Sequence, residues 1–163
     1  MTRPQIRPAP VRRSVIVKAG PQRAFAAFTG NIASWWPPSH TIGGSPQPQV
    51  VLEGRAGGRW YERSPEGAEC EWGKVLVWDP PGRLVLAWQL NGLWKYDPTL
   101  ITEVEITFTA LASGETRVEL EHRDLERFGE HAASVHDSIG SDGGWLGILK
   151  TYGGYADGSH TTT

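Results

Sequence analysis

Apolar and polar positions change their period twice along this chain. Residues 11–17 carry Val11, Val15, Ile16 and Val17 in a β-branched run that Gly20-Pro21 stops, which predicts a first strand. Pro21 suits the first turn of a helix, and Ala24, Phe25, Ala27 and Phe28 recur at helical spacing until Gly30. A second short helix is expected from Asn31, a good N-cap, to Trp36, where Pro37-Pro38 forbids continuation. Residues 38–48, rich in Pro, Ser, Gly and Thr, then read as a loop.

The period next drops to two. Segments 50–53, 57–63, 69–78, 83–89, 100–110 and 116–123 are β-rich and separated by turn signals such as Asp79-Pro80-Pro81-Gly82 and Asn91-Gly92. Connections this short imply antiparallel pairing, since a parallel pair needs a crossover of about a dozen residues or more. The alternation is clearest over 103–109 and 117–123, with one apolar face inward and one charged face outward. After Leu125 helical spacing returns over 128–138, Gly143-Gly144 interrupts it, and Trp145, Leu146, Ile148, Leu149, Tyr152 and Tyr155 mark an apolar last helix. The order predicts an α+β domain whose antiparallel sheet curls around that C-terminal helix.

Length and charge narrow the classes. A chain of 163 residues fits one domain, expected over 11–157, with polar tails at 1–10 and 158–163. Sixteen Lys and Arg against eighteen Asp and Glu give a net charge of −2, which argues against a nucleic-acid partner. The first ten residues hold three prolines and no apolar run, so neither a signal peptide nor membrane insertion is expected. Cys70 stands alone and cannot make an internal disulfide, which fits a reducing, cytoplasmic setting. Eight tryptophans against one methionine are the unusual feature, an aromatic load that must go into core, pocket or interface.

Several local strings, in order, resemble the START-like or Bet v 1-like (SRPBCC) helix-grip superfamily, and within it the Hsp90-ATPase-activator-homologue-like family. They are Pro21-Gln22-Arg23-Ala24-Phe25-Ala26-Ala27-Phe28, Trp35-Trp36, Gly57-Gly58-Arg59-Trp60 and Gly73-Lys74-Val75, followed by Pro80-Pro81-Gly82-Arg83-Leu84 with Trp88, Val118-Glu119-Leu120-Glu121-His122, and Gly144-Trp145. The resemblance implies a helix-grip fold with two short helices after the first strand. It also implies a cavity between sheet and last helix that often holds a hydrophobic small molecule.

On that basis Trp35, Trp36, His40, Trp60, Trp72, Trp88, His122, Trp145 and Leu149 are the candidate cavity residues, while each tryptophan also has a reading as plain core. Trp35-Trp36 and the loop with His40 would form the mouth. His122 has the inward parity of Val118 and Leu120, so its ring needs a hydrogen-bond partner or a ligand. The parity of Arg59, Glu62, Glu69 and Glu71 stays open, with Cys70 and Trp72 preferred inside because burying two carboxylates is expensive. Nucleotide-binding, nucleophile-elbow and zinc-protease motifs are absent, and the spacing of His131, His136 and Asp137 does not suit a metal, so no cofactor and no metal are expected.

The leading expectation is a binding module for an apolar or aromatic small molecule. The alternative is an enzyme of the cyclase, dehydratase or hydrolase type working with polar cavity residues, its catalytic residue undesignated. A homodimer through exposed tryptophans is a further option. A partnership with an Hsp90-type chaperone is disfavoured, because the eukaryotic activator joins such a domain to a second, N-terminal one.

Overall fold

A computed structural model describes residues 8–158. The tails expected at 1–7 and 159–163 lie outside the described residues; Pro8 to Pro10 have no regular structure, and Gly158 ends the last helix rather than beginning a tail. β1 (Val11–Val17) is followed by α1 (Pro21–Thr29) and α2 (Ile32–Trp35), then by β2 (Gln49–Leu52), β3 (Arg59–Arg63) and β4 (Glu69–Asp79). β5 (Arg83–Trp88), β6 (Thr102–Ala110) and β7 (Thr116–Arg123) complete the sheet, and α3 (Ala132–Gly140) and α4 (Gly147–Gly158) close the chain. The fold is the expected α+β helix grip.

The seven strands pair antiparallel in the order β1-β7-β6-β5-β4-β3-β2. From β2 to β7 each strand pairs with the next in sequence, the meander that short turns dictate. β1 adds beside β7, so His122 stands opposite both Val11 and Val104 in the middle of three strands. The inward faces of β5, β6 and β7 are apolar, as Leu84, Leu86, Val104, Ile106, Phe108, Val118 and Leu120 are all buried. Their outward faces carry an ion-pair ladder in which Arg123 binds Glu103, Glu105 and Glu121, and Arg83 binds Glu105.

The sheet bends where its register slips, between Trp60 and Tyr61 on β3 and between Val75 and Val77 on β4. Gly73 allows close approach there: a Cβ would overlap the Ala87 carbonyl of β5, so a side chain would push β4 and β5 apart. The helices cover the concave face. Tyr152 of α4 donates its hydroxyl to the Ala24 carbonyl of α1 at 2.8 Å, and Trp35 donates its indole N–H to the Ala27 carbonyl at 2.8 Å.

Local departures from the expected elements have local causes. α2 stops at Trp35, and Trp36 is extended (φ −62°, ψ 128°) because Pro37 follows it. The loop expected over 38–48 contains one 3₁₀ turn, Pro38–His40. Gly57-Gly58 form a turn ahead of β3, with Gly57 at φ +81°, instead of opening the strand. β6 starts at Thr102, since Asp97 to Leu100 make a separate turn. The helix expected over 128–138 is a 3₁₀ segment, Leu125–His131, followed by α3. Trp145 lies in a π-helical turn, Asp142–Leu146, ahead of α4, because Gly144 (φ −90°, ψ −134°) leaves helical geometry.

Candidate functional site

A cavity of about 660 Å³ opens at the end of the concave face, between the mouth loop, the sheet, the turn after β5 and the segment joining α3 to α4. Five indoles form its wall in an unbroken chain of ring contacts. Trp72 lies 5.2 Å from Trp36, Trp36 lies 6.1 Å from Trp145, Trp145 lies 5.6 Å from Trp88, and Trp88 lies 6.2 Å from Trp94. Three of these pairs are edge-to-face, a geometry aromatic pairs prefer, and Trp36–Trp72 is tilted. Ser39, Thr41, Ser138 and Ser141 add hydroxyls, and His40 and Lys95 are the titratable side chains among the lining residues.

Each indole is held by a specific bond. Trp36 donates to the His40 carbonyl at 3.0 Å, folding the 3₁₀ turn back on its own ring. Trp72 donates at 2.8 Å to Glu62, a carboxylate only 3% exposed that also accepts the Ile42 and Gly43 amides at 2.6 and 3.0 Å. Glu62 therefore ties the mouth loop to the cavity wall, and its burial is offset by three donors. Trp94 sits at φ +60°, a left-handed backbone that costs a bulky residue about 1–2 kcal/mol. The turn around it is fixed by Asn91, whose Oδ1 accepts the Leu93 and Lys95 amides at 2.9 and 3.1 Å.

Trp145 donates to His122 Nδ1 at 3.1 Å, and His122 Nε2 lies 2.7 Å from the Thr102 hydroxyl. An N–H aimed at Nδ1 makes that nitrogen an acceptor, so the proton sits on Nε2 and is donated to Thr102. Complete burial pushes the His122 pKa down to about 3, leaving the ring neutral at physiological pH. Both ring nitrogens are engaged and the ring does not border the cavity. His122 positions Trp145; it is not available as an acid or base toward a ligand. His40 is exposed and spans the mouth instead, with Nε2 2.6 Å from the Gly143 carbonyl and Nδ1 2.9 Å from the Ser39 hydroxyl.

The remaining reactive groups are quiet. Burial, with Glu62 nearby, raises the Cys70 thiol, which opposes thiolate formation. Among the described residues no group of three or more His, Cys, Asp or Glu is placed to hold a metal ion. A second concavity, about 640 Å³, is lined by Arg12, Glu105, Glu119 and Glu121 and presents paired charges in place of aromatic walls.

Residues 18–150 match the family model described as activator of Hsp90 ATPase homolog 1-like protein. The chain belongs to that family. Among solved structures it is similar to an anthrahydroquino-γ-pyrone synthase, Txn09, with 36% identity and a TM-score of 0.63 over 91% of this chain and 97% of that one. CalC from Micromonospora echinospora, a self-sacrificing resistance protein, shares 36% identity with a TM-score of 0.69 over 94% and 97%. CalU16 from the same organism, at 22% identity and a TM-score of 0.54 over 90% and 73%, shares the fold. No curated protein matches the chain by sequence.

The cavity draws on part of the expected residue set. Trp36, His40, Trp72, Trp88 and Trp145 border it. Trp35 and Leu149 do not; both are buried in the core, Trp35 against Phe28 and Tyr152. Trp60 stands behind Trp36, Trp72 and Trp88, and its Nε1 is the one buried side-chain nitrogen or oxygen among the described residues without a hydrogen-bond partner. Arg59 reaches Glu69 and Glu71 on the outer side and stacks on Tyr61, whereas Glu62 points inward. The candidate set left out Trp94 and Lys95, and Glu62 stood in the sequence only as a residue of open parity. Asn91-Gly92 marked the turn that carries the first two, but no local pattern says that the turn folds over a cavity.

Proposed function

We propose that this chain binds a planar, largely apolar aromatic small molecule in the tryptophan-walled cavity. The carrying observation is the continuous indole chain around a space of about 660 Å³. That size suits a drug-sized ligand, for which sites of roughly 300–1,000 Å³ are usual. Flat π-faces with a hydroxyl rim fit a fused-ring system bearing oxygen substituents. That a 36%-identical protein is an anthrahydroquino-γ-pyrone synthase supports the same ligand class. Of the eight tryptophans Trp94 alone is exposed, at 42%, which favours an internal ligand over a tryptophan-built homodimer. No helix among the described residues is long and apolar enough to cross a membrane, and we place the protein in the cytoplasm, where its single cysteine would stay reduced.

A second reading, turnover of the same ligand class, takes its support from that synthase. Here the acid–base work would fall to His40 at the mouth, since His122 is sealed and no carboxylate borders the cavity.

Binding is tested with fused-ring quinones by thermal shift and tryptophan quenching. A ligand at a hundredfold excess over Kd stabilises the folded state by about 2.7 kcal/mol, which for a chain of this size raises Tm by roughly 5–10 °C. A panel that neither shifts Tm nor quenches fluorescence overturns the reading. If binding is present, product formation that survives in wild type and is lost in His40→Asn with Kd unchanged would establish turnover.

A further inference from the structure

The cavity wall is electrically lopsided. No aspartate or glutamate borders it, whereas Lys95 does, and none of the ion pairs among the described residues involves Lys95. In a chain with net charge −2 and carboxylates paired along the outer sheet, a cavity whose lining includes an unpaired lysine and no carboxylate is a local inversion of charge. Lys95 follows Trp94 directly in one braced turn. The Asn91 amide donates to the Lys95 carbonyl at 2.8 Å and the Trp94 amide to the Asn91 carbonyl at 2.9 Å, while Tyr96 bridges back to Leu90. The turn also leans on the 3₁₀ segment, since a Cβ on Gly92 would overlap the His131 side chain. It keeps an exposed indole in a left-handed backbone at the mouth, a strain that persists only where the surroundings impose it.

We infer that this turn is the selectivity element of the site and that the ligand is an anionic planar aromatic, its ring system against Trp94 and Trp88 and its negative edge toward Lys95. The inference rests on the binding reading above and narrows it: phenolate, carboxylate or sulfonate-bearing fused rings are preferred over neutral ones, and neutral ones over cationic ones.

The test uses the full chain at pH 8 with three probes of one shape: anthraquinone-2-sulfonate, a neutral hydroxymethyl analogue and a quaternary-ammonium analogue. Tryptophan quenching gives the affinities. The sulfonate should bind about fivefold more tightly than the neutral probe, the value of one partly exposed charge contact. The cationic probe should bind more weakly than either. Lys95→Met should bring sulfonate and neutral probe within about twofold, and 0.5 M salt should do the same to wild type by screening. Trp94→Asn, which suits a left-handed backbone, should weaken all three by about tenfold while keeping their order. Equal binding of sulfonate and neutral probe by wild type, or an unchanged preference in Lys95→Met, overturns the inference and leaves the binding reading standing. Failure of all three probes to bind removes both.

Discussion

His122 is neutral for reasons visible within a few ångströms. Burial removes the water that an imidazolium needs, and the Trp145 N–H occupies the nitrogen that protonation would require. Its folded pKa of about 3 lies below the ordinary 6.5, so between those values the unfolded chain binds a proton that the folded chain does not. Stability is therefore fully present above pH 6.5 and is lost as pH falls, by about 1.4 kcal/mol per unit. Between pH 7.5 and 5.0 wild type should lose about 2 kcal/mol from this group, as read by urea unfolding. His122→Gln, with a donor and an acceptor but no titration, should be less stable at pH 7.5 and nearly flat over that range. A slope in the variant equal to that of wild type would locate the pH dependence elsewhere. The inward direction of His122 was legible from strand parity alone. Its partners were not, since Thr102 and Trp145 lie 20 and 23 residues away and only the register β6–β7 and the π-helical turn bring them in.

At the scale of elements, the mouth loop and the π-helical turn depend on single residues. Glu62 accepts two loop amides and the Trp72 indole, so Glu62→Ala leaves a buried N–H without a partner, a loss of about 1–3 kcal/mol. Glu62→Gln keeps one acceptor oxygen and should fall in between. In both variants the Ile42 and Gly43 amides should exchange with solvent faster than in wild type; unchanged exchange would mean that the loop holds itself. Gly144→Ala places a methyl group on the Ile139 carbonyl and should cost about 3 kcal/mol or more, because backbone must move. Strands and helices were legible because period and turn chemistry are local: the antiparallel meander, the stop at Pro37 and the break at Gly143-Gly144 all follow from neighbouring residues. Glu62 was not, because no local pattern says which face of β3 turns inward and its partners sit in a loop 19–20 residues earlier.

The whole molecule offers a flat apolar ligand two places, at opposite ends of the helix-covered face. Besides the tryptophan cavity, a groove of about 560 Å³ runs between α1 and the β4–β5 turn, lined by Phe25, Leu52, Trp78, Pro80 and Pro81. The two differ in aromatic density, with five indoles around one and a single indole, edge-on to Phe25 at 5.0 Å, beside the other. They differ in rim chemistry as well, since hydroxyls and Lys95 border the first. Stacking area and charge both favour the cavity, and the eight indole N–H groups serve as separate reporters. On titration with a fused-ring quinone, the N–H resonances of Trp36, Trp72, Trp88, Trp94 and Trp145 should move together, along with the amides of 39–42, 91–95 and 138–146. Trp78 should stay where it is. If Trp78 moves most while the five hold still, the ligand belongs in the groove between α1 and the sheet, and the tryptophan wall is core packing that happens to enclose a space.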